Sequence, residues 1–348
     1  MTASDSYIAH LKECLAGLGP VSVRRMFGGA GVYADGVMFG LIADDVQDGL
    51  SRARKAIPCR WLYDTRGAQL FDRITQLESY YPIRTETWIL ERSAAQIAAA
   101  AGPHATLLEL GGRANCNTHI LLAALDRPAA YVPINSAAQF DAKRLQALRT
   151  RFAPITITPV IADFARLTSL PPQANFASGS RHIVYLPGSA IGDFTPQAAV
   201  ELLQRIGRCV GRNALLVIGA DATHDPALLM PAYDDGEGAA CAFNKNLLVR
   251  INRELGGTFD VDQFDHRAHF DARSQCVEMH LVSRIEQDVQ VLGQTFHFAR
   301  DEALQTASDY KYGYFKFHAV ARDALWAHRQ FWTDANARFA VHVLERAT

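Results

Sequence analysis

The chain lacks the net charge that a polyanion would attract. Its 348 residues carry 35 basic and 36 acidic side chains, a formal charge of -1, so no nucleic acid is expected as partner. No apolar run approaches the roughly 18 residues needed to cross a bilayer, so no membrane partner is expected either. The chain shows neither a basic opening followed by an apolar stretch nor a small-residue cleavage site, and a cytoplasmic location is expected. Six cysteines form no CxxC pair. That argues against a zinc site or a disulfide framework and fits a reducing compartment. His266 and His269 stand three positions apart without a third ligand at sensible spacing, so no metal is expected. A G-x-G-x-x-G nucleotide fingerprint is also missing.

What is present is a 49% hydrophobic chain, long enough for two domains or one large domain with insertions. Its organising stretch runs from Thr106 to Asp126: an apolar run, the loop Gly111-Gly112-Arg113-Ala114-Asn115-Cys116-Asn117, and then Thr118 to Leu125 with helical spacing. Strand, glycine loop and helix in this order form the turn where a nucleotide-type ligand lies in a doubly wound α/β sheet. Glycine there lets the backbone approach closely, and the helix start presents free N–H groups. The alternation continues with strands predicted at 131–134, 155–161, 182–186 and 214–219 and helices around 137–151 and 196–210. Five strands alternating with helices predict a parallel sheet covered on both faces. Asn135, Asp163, Ser189, Asp193 and Asp221 fall at the carboxyl ends of the strands, where such sheets bind ligands. Asp163 before Phe164 suits an adenine amino group and ring, and equally suits a helix N-cap.

Outside this core, residues 5–20 read as an amphipathic helix and 21–42 as short strands with a hairpin turn at Asp35-Gly36. The string Arg24-Arg25-Met26-Phe27-Gly28-Gly29 resembles the beginning of a TfoX-type N-terminal domain, which implies an appended module that docks a protein partner. Trp61, Tyr63, Tyr80 and Tyr81 bracket a helix carrying Leu70, Phe71, Ile74 and Leu77; such a set lines a pocket or caps a core. Residues 222–310 break the βα rhythm, with a helix through 243–255 and strands at 276–283 and 288–298. The tail, 311–348, is expected to complete the first sheet.

Strings from about residue 43 onward resemble the histidine-specific Nα-methyltransferases of ergothioneine biosynthesis: Trp61-Leu62-Tyr63-Asp64, Leu70-Phe71-Asp72-Arg73, Tyr80-Tyr81-Pro82, Leu108-Glu109-Leu110-Gly111, Ala162-Asp163-Phe164, Gly188-Ser189-Ala190-Ile191-Gly192, Ala232-Tyr233-Asp234-Asp235 and Glu278-Met279. The resemblance implies a Rossmann-type α/β methyltransferase sheet with a second substrate subdomain, and S-adenosylmethionine as cofactor. It divides the chain into an extension, 1–42; a substrate subdomain, 43–84 and 223–310; and a methyltransferase-fold domain, 85–222 and 311–348.

By position, the resemblance puts Tyr63, Tyr80, Asp193, Tyr233, Met279, Thr306 and Ser308 around a small amino-acid substrate, with Tyr63 near its amine as the catalytic residue. It puts Gly111, Gly112, Asn117, Asn135, Asp163 and Phe164 on the cofactor. Several of these depart from the family pattern. Arg113 stands at a glycine position, Asn117 at a lysine, Asn135 at a ribose-binding aspartate, Asp193 at an asparagine and Thr306 at a glutamate. The departures leave three readings: an N-methyltransferase of histidine or a related amino acid, a methyltransferase of another amine, and a non-catalytic relative that acts as a binding or regulatory protein.

Overall fold

The computed structural model describes residues 21–26, 29–34, 37–41, 44–111, 117–135, 142–170 and 181–346. By their contacts they fall into two compact units. The first comprises Met1–Leu62, Cys241–Arg267 and Met279–Ala307, and the second Tyr63–Ala240, Ala268–Glu278 and Ser308–Thr348. The expected functional division at 42, 84, 222 and 310 does not coincide with these boundaries. The helix expected at 5–20 lies outside the described residues.

In the first unit, β1 (Val21–Met26), β2 (Gly29–Ala34) and β3 (Val37–Leu41) form an antiparallel sheet in sequence order. Ala34 pairs with Val37 across the expected hairpin turn. The helix α1 (Asp44–Ser51) follows. A buried Trp61 ring lies under the Arg250 guanidinium, 4.6 Å from it, and the same guanidinium donates to the Trp61 carbonyl at 3.1 Å. Phe259, Phe264 and Phe298 pack edge to face with centroids 5.5–6.0 Å apart, an arrangement that suits the ring quadrupoles.

The second unit is built from the predicted alternation. Its helix α2 (Thr65–Ile74) is capped by Asp64, whose Oδ1 accepts from the Gly67 N–H at 2.7 Å. Next, α3 (Pro82–Ala101) starts with proline, whose missing N–H costs nothing in a first turn, and stops at Gly102 with φ +76°. The strands β4 (Thr106–Leu110), β5 (Ala130–Asn135), β6 (Thr156–Ile157), β7 (Val160–Ile161), β8 (His182–Leu186) and β9 (Ala214–Asp221) pair in parallel. The helices between them are α4 (Thr118–Ala124), α5 (Ala142–Arg151) and α6 (Pro196–Val210). All five residues of β4 are buried, as befits the middle of a sheet covered on both sides.

Period-two alternation divides the core. Leu108, Val132, Val184 and Leu216 pack under α6 on one face, while Leu107, Tyr131, Ile183 and Leu215 pack under α3 and α4 on the other.

Beyond β9 come α7 (Pro226–Tyr233) and α8 (Ala239–Leu255). The strands β10 (Phe264–Asp271), β11 (Cys276–Ser283) and β14 (Ala303–Tyr310) make a three-stranded sheet in that order. Then α9 (Tyr314–Asp323), β15 (Trp326–Thr333) and β16 (Phe339–Arg346) close the large sheet, with β16 antiparallel to β9 as the expected completion by the tail.

Two expected strands are broken. Residues 155–161 form two pairs, 156–157 and 160–161, because Pro159 between them has no N–H to give a ladder. The run 288–298 folds back as β12 (Gln287–Val291) and β13 (Gln294–Phe298), since Leu292 and Gly293 adopt φ +51° and +75° and make a tight two-residue turn.

Gly219 in β9 provides a test of this packing. A Cβ there would overlap the Glu86 carboxylate and stand 3.0 Å from the buried Phe339 ring. We expect Gly219→Ala to destabilise the protein by about 1–3 kcal/mol, the usual range for overpacking. In Gly207→Ala the new methyl meets the Arg346 side chain from Cδ to Nη1, which must shift, and the midpoint should fall less than in Gly219→Ala because alanine favours a helix by roughly 0.8–1 kcal/mol over glycine. Urea unfolding midpoints check both.

Candidate active site

The carboxyl ends of β4, β5 and β7 stand side by side. Leu110 pairs with Ile134 and Ile134 with Val160; Gly111 N–H then donates to the Ile134 carbonyl at 3.1 Å and Ala162 N–H to the Asn135 carbonyl at 3.0 Å. Gly111, Asn135 and Asp163-Phe164 are thereby drawn to one edge. Gly111 has φ +68°, and a Cβ on it would stand 2.5 Å from the Phe164 ring, so this backbone-to-ring approach needs glycine. Asn135 is buried. Asp163 caps the short turn Phe164–Arg166, accepting from Ala165 N–H at 3.0 Å, so the capping half of its two readings is realised. Gly112 lies outside the described residues. Asn117 turns inward: its Nδ2 donates to Glu86 Oε2 at 3.0 Å and its Oδ1 accepts from Thr87 Oγ1 at 2.6 Å. The edge residues Gly111, Asn135 and Phe164 fit a nucleoside-type ligand by this test, whereas the Asn117 amide is committed to the interior.

Two carboxyls that sequence reading did not single out as site residues support this edge from below. Glu86, on α3, reaches the loop after β8 and accepts from Gly188 N–H through both oxygens, at 3.1 and 3.0 Å. Burial pushes its carboxyl up to about 7, although the Gly188 and Asn117 hydrogen bonds pull the other way. Glu109, inside the apolar β4, accepts from the Thr118 hydroxyl at the start of α4 and from Tyr131 OH at 2.7 Å; burial raises it as well. An acidic residue in the run Leu107-Leu108-Glu109-Leu110 was the available signal.

A second group gathers at the carboxyl end of β9. Lys311, without exposed surface, places Nζ 2.8 Å from Asp221 Oδ2, 3.2 Å from Asp309 Oδ2 and 2.6 Å from the Tyr233 hydroxyl. Tyr81 OH donates to Asp221 Oδ2 at 2.6 Å, and Tyr233 OH donates to Asp309 Oδ2. Burial works against the Lys311 ammonium, but the two carboxylates outweigh it and hold its pKa above the usual value. Tyr233 is raised far above the ordinary phenol, first by burial and then by Asp309 and Asp221. Tyr80 and Tyr81 lie near enough to act on Tyr233 electrostatically. Phe71 joins Tyr80 to Tyr63 edge to face, with centroid separations of 5.6 and 6.0 Å.

Of the implied substrate residues, the second unit therefore gathers Tyr80 and Tyr233 at one end of the sheet, with Tyr63 linked through Phe71. Asp193 sits exposed at the end of a short turn after β8, and Ser308 is half-buried beside Cys276. Met279 and Thr306 belong to the first unit, where the buried Thr306 hydroxyl donates to the Met279 carbonyl at 3.0 Å. Among the described residues no group of three or more potential ligands could hold a metal ion, and no helix is long and apolar enough to cross a membrane. Lys311 and Asp309 were missed; an acid near the end of β14 and a lysine just beyond it, two positions apart, were the available signal.

A doubly wound sheet with these groups at its carboxyl edge defines an α/β protein that binds a nucleotide-type ligand there. The chain belongs to the family of histidine-specific, S-adenosylmethionine-dependent methyltransferases, whose model matches residues 42–346. It is 34% identical over 307 residues to the histidine N-alpha-methyltransferase of Mycolicibacterium smegmatis, covering 87% of this chain and 94% of that protein. It is 35% identical over 306 residues to that of Mycobacterium tuberculosis, covering 85% and 92%. Ergothioneine biosynthesis protein 1 of Neurospora crassa is 25% identical over 78% of this chain and 34% of its own length. The CcbJ methyltransferase of Streptomyces caelestis superposes with a TM-score of 0.42 at 17% identity, over 82% of this chain and 99% of its own. The TfoX-like reading of residues 5–42 is not supported, since the family match covers only the chain beyond them.

Glu86 generates a pH prediction. Its folded carboxyl holds a proton to about 7, against an ordinary value of 4.5, so folding takes up a proton in between and stability falls as pH rises through that window. At about 1.4 kcal/mol per unit the loss is at most about 3.5 kcal/mol. Glu86→Gln should flatten this fall, measured as the difference in urea midpoint between pH 5 and pH 8.

Proposed function

We propose that this protein transfers the methyl group of S-adenosylmethionine to the α-amine of histidine or a closely related amino acid. The observation that carries the reading is the tyrosine set, Tyr80 and Tyr233 with Tyr63 linked through Phe71, held at the carboxyl end of the sheet in a chain that matches this family over residues 42–346. Gly111, Gly112, Asn135, Asp163 and Phe164 would hold the cofactor, which when bound supplies an electrophilic methyl group on a sulfonium. The tyrosines orient the substrate; Tyr63 stands beside the amine and helps take its proton, and fixed orientation supplies much of the rate. Ser308 and Asp193, in the same unit as the tyrosines, complete the substrate's surroundings in this reading. The cytoplasm is the place of action in this reading, in keeping with the thiols Cys59, Cys209, Cys241 and Cys276.

One observation favours a neighbouring substrate. The Thr306 hydroxyl, at the position where the family carries a glutamate for the imidazole, already donates to the Met279 carbonyl. An amino acid with a different side chain suits such a position better.

Calorimetric titration tests both readings. S-adenosylmethionine and S-adenosylhomocysteine should bind, and histidine should then bind to the loaded protein; no cofactor binding at millimolar concentration would sink the methyltransferase reading, and cofactor binding without histidine would favour the second substrate. Asn135→Asp should tighten the cofactor about fivefold. A carboxylate on the ribose diol makes a charge-assisted hydrogen bond about 1 kcal/mol stronger than an amide does.

A further inference from the structure

The buried group around Lys311 is unbalanced. Among the described residues Asp221 and Asp309 form ion pairs only with Lys311, so two carboxylates share one ammonium. Asp309 Oδ1 is buried without a hydrogen-bond partner among the described residues. It presses against Gly192, where any Cβ would overlap it. Tyr233 has given its only proton to Asp309 and takes one from Lys311, so toward a ligand its oxygen can only accept. Other titratable groups face the cluster. Burial and the neighbouring Lys316 lower His224, which keeps it neutral near pH 7, and the Lys316 ammonium is directed at the Ser274 and Lys311 carbonyls. Tyr81 is neutral and donates to Asp221. Asp309 is half-buried and desolvation raises its carboxyl, so its charge is costly there unless something pairs it.

We propose that Asp309, acting through the Tyr233 hydroxyl, is the specificity element that selects a substrate bearing a protonated amine. The cationic ammonium supplies the charge that the cluster lacks, and one of its N–H groups donates to Tyr233. Gly192 is required because only glycine lets the Asp309 carboxylate take this place. The inference rests on the amino-acid methyltransferase reading above and adds a role for a residue outside the resemblance. Asp309 is a positioning residue: it sets the charge and the acceptor orientation of Tyr233.

The test is calorimetry on the full chain saturated with S-adenosylhomocysteine, with histidine, tryptophan, tyrosine and N-acetylhistidine as probes. The wild type should bind at least one free amino acid. Asp309→Asn, nearly isosteric, should weaken that binding at least tenfold, and Tyr233→Phe should weaken it in the same direction. Affinity for S-adenosylhomocysteine should stay within twofold in both variants, which shows that they are folded. N-acetylhistidine, which has no ammonium, should not distinguish wild type from Asp309→Asn. Equal binding of the amino acid by Asp309→Asn and wild type would overturn the proposal, and so would equal sensitivity of the acetylated probe. Binding of another amino acid but not histidine counts against histidine alone and leaves Asp309 testable on the amine that binds. If no cationic amine binds, the proposal falls, and binding of S-adenosylhomocysteine then decides whether the methyltransferase reading stands.

Discussion

An ammonium with no exposed surface, caught between two carboxylates at the end of β9, is the contact on which the ligand end of the second unit depends. Lys311 fixes Asp221 and Asp309, Asp221 fixes Tyr81, and Asp309 fixes Tyr233. Removing one partner would leave a charge buried and unpaired, the expensive case for such groups. The arrangement therefore holds together as a unit. It also reaches into the β8 loop, because the Ser189 hydroxyl accepts from Asp221 N–H at 2.9 Å and Gly192 lies against Asp309.

Glu86 and Glu109 do corresponding work around β4 and the start of α4. Each sits among apolar neighbours and is satisfied by donors from elements far apart in sequence: Gly188 and Asn117 for Glu86, Thr118 and Tyr131 for Glu109. Buried polar groups survive only when hydrogen-bonded, and here the bonds also fix where helix α4 begins relative to the strand before it. The departure from lysine at Asn117 has a local reason in this setting. A short amide reaches Glu86 and Thr87 from the inside, so the side chain ties the start of α4 to α3.

Much of the fold was legible in the chain because its signals are local. Leu107 to Leu110 read as a buried strand, and burial of all five residues of β4 follows from that run. The helix at 196–210 was equally plain. The failures were local too: Pro159 and the Leu292-Gly293 turn each break a run whose side-chain pattern alone looks continuous. The candidate site was less legible. Tyr63, Tyr80 and Tyr233 could be named from their motifs, but Asp309 and Lys311 carried no motif, and Asp163 offered two meanings, of which its hydrogen bond to Ala165 shows the capping one.

By itself the sequence determined the alternation of strands and helices, the two-faced core and the family, because periodicity, glycine, proline and ordered motifs act over a few residues at a time. Only the tertiary structure decided which charges are buried together. Lys311 meets Asp221 across 90 positions and Tyr233 across 78, and Glu86 meets Gly188 across 102. Such pairings depend on strand order and on desolvation, which exist only once the sheet has closed; no stretch of chain carries them on its own.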